Sequence, residues 1–288
     1  MTTRGDMIPS VGLSSSLLRM ASLVFLLLAI ALGYLSWAPI TSLRGSQSPS
    51  IGPKVFVIGL SKTGTTSIGD ALAQLGYRRS GWEDIRSRWL YHAYTHGHVE
   101  ALKRHVDKFD AFEDIPWCIA YRDIADQFPS ARFILSLRKN EHDWLRSIQA
   151  HTRRRAWEGH ADIYGCLRAD DCPDAYLETY KRHTEDALEF FSARGEEDRL
   201  LTFFIDEPRE VGKNATRRDA RWEKLLAFLD IEGADVSRLG HFPRVNAKSS
   251  FGNRDPIGLF WLVDSCFYHI ENTLARAMSA VSVALLRE

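Results

Sequence analysis

Between Gly59 and Ser67 the chain reads Gly-Leu-Ser-Lys-Thr-Gly-Thr-Thr-Ser, two glycines bracketing a lysine with hydroxyl side chains close behind. This set of groups suits an anion. Glycine lets the backbone approach a ligand closely, while Thr65, Thr66 and Ser67 donate through hydroxyls and Lys62 supplies a mobile positive charge. The flanking sequence gives the turn its setting. Lys54 to Leu60 contains Val-Phe-Val-Ile, an apolar β-branched run of the kind buried in parallel sheets. Ser67 to Leu75 has helical spacing, with Ile68, Leu72 and Leu75 on one face and Gly76 as a C-cap. A strand, a glycine-bracketed turn and a helix start direct backbone N–H groups and the helix's positive end at one point, where a phosphate fits.

The place of the lysine decides what kind of loop this is. An ATP-binding Walker loop has its lysine directly after the second glycine, followed by the Ser/Thr that holds magnesium. Here Thr65 takes that place and Lys62 lies before Gly64, displaced towards the strand. A second strand candidate, Arg132 to Leu137, ends in Arg138 and is followed by Trp144 and Ser147.

Together these segments resemble the sulfotransferases that use 3′-phosphoadenosine 5′-phosphosulfate (PAPS). The first looks like their 5′-phosphosulfate loop, which implies donor contacts from Ser61, Lys62, Thr63, Gly64, Thr65, Thr66 and Ser67. The second resembles their 3′-phosphate segment, which implies a clamp formed by Arg138 and Ser147. The family separates that arginine and serine by one residue less, so an extra residue falls within Lys139–Asp143. Trp222–Leu229 and His241–Asn246 are similar to the family's late helix and the loop after it. The resemblance covers residues 54–250 and implies in-line transfer of a sulfuryl group from PAPS to an acceptor hydroxyl or amine, without metal. Lys62 would then neutralise the charge that grows on the leaving phosphate.

Such a transfer needs a base for the acceptor's proton. Phe112-Glu-Asp-Ile-Pro-Trp117 resembles a segment lining the acceptor pocket of carbohydrate sulfotransferases, with Asp114 the preferred base and Glu113 the longer-reaching alternative. His92, His96 and His98 are further candidates, weighed against ordinary surface histidines. Arg153-Arg-Arg155 reads as a solvated helix end before an attractor of anionic acceptors.

The elements that position these groups are strands alternating with helices. Leu200–Ile205 is a third strand, and helical patterns occupy Trp89–Phe109, Trp144–Arg155, Asp174–Ala193 and Asp219–Leu229. This predicts an α/β fold: a P-loop NTPase-like three-layer α/β/α with a central parallel sheet. Ahead of it, Met20 to Trp37 has no charged residue, long enough at about 1.5 Å per residue to nearly span roughly 30 Å of hydrocarbon. The chain therefore divides into a tail (1–19), a transmembrane signal-anchor (20–38), a linker (39–53), the catalytic domain (54–250) and a helical segment (251–288). The last is too interrupted by charge for a second span.

The 288 residues carry 37 basic and 37 acidic side chains, which gives no sign of nucleic-acid binding. Four cysteines are too few for a disulfide scaffold, although Cys166 and Cys172 can close a small loop; Cys118 and Cys266 read as core residues. No Cys/His spacing suggests a metal site. That disulfide and the sequon at Asn214-Ala-Thr216 lean towards a glycoprotein of the Golgi or another secretory membrane, its domain lumenal. The expected partners are the nucleotide donor and an acceptor, a glycan or lipid by family analogy. The first rival is a P-loop kinase or NTPase using Mg-ATP, supported by Asp206 at the end of the third strand. The second is an anchored protein with the fold and no turnover.

Overall fold

The computed structural model describes residues 52–82, 85–207, 219–233 and 236–244. The expected anchor at 20–38, the sequon, Cys266 and the segment 251–288 lie outside these residues. Among the described residues no helix is long and apolar enough to cross a membrane.

Five parallel strands form one sheet in the order β2-β3-β1-β4-β5. They are β1 (Val55–Val57), β2 (Arg79–Ser80), β3 (Ala111–Glu113), β4 (Arg132–Leu137) and β5 (Leu200–Phe204). Between them run α1 (Thr65–Gln74), α2 (Ile85–Thr95), α3 (Val99–Val106), α4 (Trp117–Gln127), α5 (Glu141–Arg155), α6 (Glu158–Tyr164) and α7 (Pro173–Ser192). After β5 come α8 (Ala220–Phe228) and the short α9 (Val236–Leu239).

Both sheet faces are covered, because alternate residues of each strand point to opposite sides. Phe56, Phe112, Phe133 and Leu135 meet Cys118, Trp144, Tyr176 and Phe191 from the helices of one face. Val55, Val57, Ala111 and Ile134 meet Ile68 and Leu72 of α1 and Trp222 and Leu225 of α8 on the other. Phe56 stacks between Phe112 at 4.5 Å and Phe133 at 5.5 Å, so the central strand is locked to both neighbours by side chains as well as by its ladder.

The helical pattern expected over Trp89–Phe109 is two helices. Gly97 adopts φ 85°, its N–H donates to Tyr94 O and that of His98 to Ala93 O, an arrangement that ends α2 and lets α3 start afresh. Cys166 and Cys172 are joined as a disulfide just ahead of α7, and Cys118 is a buried free thiol.

In this strand order the chain leaves β1 towards β2 and β3 but leaves β4 towards β5. The carboxyl ends of β1 and β4 therefore flank the switch point, where parallel sheets open a crevice. The glycine-bracketed turn and Arg138 both sit there.

Candidate active site

The turn after β1 is built by close approach. A Cβ on Gly59 would run into the carbonyl and hydroxyl oxygens of Ser136 on β4 and lie 2.6 Å from Thr63 Oγ1. Thr63 is buried, and its hydroxyl donates to Leu60 O at 2.7 Å and shares a 2.6 Å hydrogen bond with Ser136 Oγ. The structure thus gives Thr63 a loop-fastening position, although the sequence grouped it with the donor contacts. Lys62 (φ 74°) and Gly64 (φ 94°) flank it in the left-handed region. Gly64 caps α1 without a side-chain hydrogen bond, and the first turn of α1 carries no acid. That helix start therefore presents its positive end without a side-chain cap or a neighbouring acid.

Two residues from the next strand and helix hold the loop from behind. Trp144, fully buried on α5, donates its indole N–H to Ser61 O at 3.0 Å and stacks on Tyr180 at 4.4 Å. Arg138, just past β4, donates from Nε to Lys62 O at 3.3 Å and lies 3.8 Å from Asp206. The Asp206 carboxylate also accepts from Lys139 N–H at 3.0 Å, so the strand-end acid is engaged by the Arg138 segment. Among the described residues no group of three or more His, Cys, Asp or Glu is gathered as a metal site.

Asp114 meets the loop from the β3 side. It follows β3 with φ 65°, ahead of a cis Ile115–Pro116 bond. Ser61 Oγ donates to its Oδ1 at 2.7 Å, Thr65 Oγ1 to Oδ2 at 3.1 Å, and Ile115 N–H to Oδ1 at 3.0 Å. Desolvation nevertheless pushes the carboxyl above the ordinary range, outweighing these donors and the nearby Lys62. The Lys62 ammonium is lowered, chiefly by burial; Asp114 opposes this, while Arg138, Arg154 and Arg155 add to it. The half-buried ammonium thus lies within the electrostatic reach of several cations and one carboxylate.

Glu113 is elsewhere. Its register partner is Val57, and its buried carboxylate is bound by Arg79 Nε at 2.8 Å, beneath Gly69 of α1 and Gly81. Of the two carboxylates adjacent in sequence, the structure brings only Asp114 to the loop. Thr66 and Ser147 are partly exposed, Ser147 on the α5 face of Trp144, and Ser67 is buried in the first turn of α1. His92 is buried 3.9 Å from Glu158, and His96 is exposed with Nδ1 donating to His92 O at 2.7 Å. Arg153 turns to Asp170, with NH2 donating to Oδ1 at 2.8 Å. A cleft of about 450 Å³ opens alongside, lined by Arg138, Lys139, Asn140, Glu141 and Tyr180 among others.

Sequence reasoning missed two histidines. His151 lies two turns along α5 from Trp144 and meets His160 of α6 edge-on at 5.7 Å. Burial first, then the charges of Lys62 and the arginines with His160, hold His151 at about 3; burial alone holds His160 at about 4. The i, i+7 spacing from Trp144 was a usable signal, but nothing in the sequence linked it to the loop. His160 Nδ1 accepts from Trp157 N–H at 3.3 Å, a bond that protonation removes. Its folded-state pKa lies below the unfolded value, so its contribution to stability is present above about pH 6.5 and fades as pH falls towards 4. Between pH 7 and pH 5 the protein should lose about 2 kcal/mol through His160. Urea midpoints at the two values should separate less in His160→Gln than in the parent.

The sulfotransferase domain family matches this chain over residues 54–251, more than half its length. Separately, a stretch of 124 residues is 31% identical to the adenylosuccinate synthetase of Hydrogenobaculum sp. (strain Y04AAS1). That alignment takes in 34% of this chain and 30% of the synthetase, so the chain spans under a third of that relative.

Proposed function

The chain belongs to the sulfotransferase family, and on that premise we propose that it transfers a sulfuryl group from PAPS to an acceptor hydroxyl or amine. The observation that carries this reading is the turn itself: Lys62 in a left-handed conformation beside a helix start with no side-chain cap, with Ser61 and Thr65 of the same turn hydrogen-bonded to Asp114. Strand order and glycine-bracketed turn support a P-loop type of nucleotide site.

In the proposed reaction the acceptor oxygen attacks sulfur as the bond from sulfur to the bridging phosphate oxygen breaks. Asp114 takes the acceptor's proton, a role helped by a carboxyl held above its ordinary range and by its partial exposure. Lys62 and the N–H groups opening α1 receive the charge left on the nucleotide's 5′-phosphate. Ser61, Thr65, Thr66 and Ser67 fix that phosphate, and Arg138 with Ser147 hold the 3′-phosphate. The reading extends to the rest of the chain: the apolar run at Met20–Trp37 anchors it in a secretory-pathway membrane with the domain lumenal. The Cys166–Cys172 disulfide suits that oxidising side, and a membrane glycan or lipid is the favoured acceptor.

Calorimetry tests the donor. Adenosine 3′,5′-bisphosphate should bind without magnesium and at least tenfold more tightly than adenosine 5′-phosphate. Arg138→Ala should weaken the bisphosphate roughly 10–100-fold, as for one charge-assisted contact of about 1.5–3 kcal/mol, and erase the preference. Magnesium-dependent binding of ATP with no bisphosphate binding would instead favour the kinase reading. Donor binding with no transfer to any acceptor would favour a member of the fold without turnover.

A further inference from the structure

Asp114 already holds the groups that the proposed donor needs. Its two carboxylate oxygens accept from Ser61 and Thr65, hydroxyls of the phosphate loop, and Lys62 is the cation that acts on it. Two further buried side chains are coupled to it electrostatically. On α4 the Cys118 thiol is buried and pushed well up by desolvation, with Asp114 adding to the effect. On α6 the Tyr164 phenol is likewise pushed up by burial, with Cys118 and Asp114 adding and Ser61 opposing. Both stay neutral. Arg138, Arg154 and Arg155 act on Lys62, and His151, on which Lys62, Arg154 and Arg155 also act, stays unprotonated.

An anionic phosphosulfate entering the loop would therefore place a second negative charge beside one lysine already shared with a desolvated carboxylate. Two such anions in one partly buried site cannot both stay ionised without cost, and the usual outcome is a proton on one of them. We propose that nucleotide binding is coupled to proton uptake by Asp114, which gives up the Ser61 and Thr65 hydroxyls and turns an O–H towards the bound phosphate. This rests on the donor reading above and adds a property to it.

The sign follows from linkage. A group whose pKa is higher in the complex than in the free protein takes up a proton on binding. Affinity is thus greatest at low pH and falls as pH rises through the interval between the free and bound values, by at most about tenfold per pH unit. Transfer needs the ionised carboxylate as base and so rises across the same interval. Donor affinity and the transfer step share one group and respond to pH in opposite directions.

Calorimetric titration of the full chain with adenosine 3′,5′-bisphosphate tests this at one pH near 6.5, in two buffers of different ionisation enthalpy. The difference in heat between buffers counts the protons taken up. The ligand's own phosphates contribute equally to parent and variant, so Asp114→Asn serves as the reference. The parent should take up more protons than Asp114→Asn, and the variant should bind more tightly with an affinity that varies less with pH. Infrared difference spectra give an independent reading on the parent alone: a protonated-carboxyl C=O band should appear when the nucleotide is added. Binding with equal proton uptake in both proteins, or no such band, overturns the coupling and leaves the donor reading standing. No binding by the parent overturns both.

Discussion

Lys62→Ala should lower the rate of sulfuryl transfer about 10²–10³-fold while leaving the thermal midpoint close to that of the parent. The magnitude follows from the role. A preorganised donor aimed at charge that develops only in the transition state is worth roughly 2.7–4 kcal/mol in a site with little water. Lys62 meets the structural conditions for such a donor. Its backbone is set by a turn fastened through Thr63 and Ser136, and Asp114, Arg138, Arg154 and Arg155 all act on its ammonium. Burial lowers the ammonium's pKa, so it has already given up part of its hydration and loses less when the leaving phosphate arrives. Little structural cost is expected, because Lys62 makes its contacts with the loop through its backbone and Ala tolerates φ 74° about as well as Lys does. Single-turnover transfer of labelled sulfuryl group, read beside a melting curve, separates the two effects. Lys62→Arg should recover only part of the loss, since a planar guanidinium does not present its charge as a point on a flexible stem. Turnover near the parent's in Lys62→Ala would falsify the assignment of Lys62 to the leaving group.

The parts of the fold that were legible in the sequence are those that carry their own signal. Val55–Val57 is a continuous apolar run and Arg132–Leu137 a largely apolar one, and both are strands at the centre of the sheet. The helices at Thr65–Gln74, Pro173–Ser192 and Ala220–Phe228 likewise show their apolar face as a stripe at helical spacing. β2 and β3 escaped notice for a physical reason. Arg79–Ser80 and Ala111–Glu113 are two and three residues long, and each carries a charge, Arg79 and Glu113, that satisfies the other once the strands pair in parallel. That pairing is a tertiary event with no local trace. The same limit applies to the site. Glycine and lysine spacing marked the turn after β1 as the candidate phosphate loop, and Asp114 could be named beside Glu113. Only the register of β3 against β1 separates them, holding Glu113 under α1 while the left-handed backbone at Asp114 turns the next carboxylate to Ser61 and Thr65. Trp144 was read as part of a 3′-phosphate segment, yet its indole N–H donates from α5 to Ser61 O in the turn after β1, a link visible only once β1 and β4 lie side by side.

Gly59→Ala should cost about 3 kcal/mol of stability and abolish nucleotide binding with it. The added methyl would point at the carbonyl and hydroxyl oxygens of Ser136, in the middle of the loop's anchorage. A flexible side-chain tip can move aside, but the Ser136 carbonyl is backbone of β4, paired in register with Phe203 of β5. Room for the methyl therefore requires β1 and β4 to separate where Ile58 N–H donates to Ile134 O at 2.9 Å and Thr63 is fastened to Ser136. At roughly 2–4 °C per kcal/mol for a domain of this size, the midpoint should fall by about 10 °C. Gly97→Ala is the matching control. Gly97 has φ +85° but open space where a Cβ would be, so it bears only the backbone strain, about 1 kcal/mol, and should leave nucleotide binding unchanged. Adding Ser136→Ala to Gly59→Ala should not restore stability, because it removes the hydroxyl and leaves the carbonyl in place. A full rescue by that second change would mean that the hydroxyl contact, and not the approach of two backbones, requires glycine at the mouth of the loop.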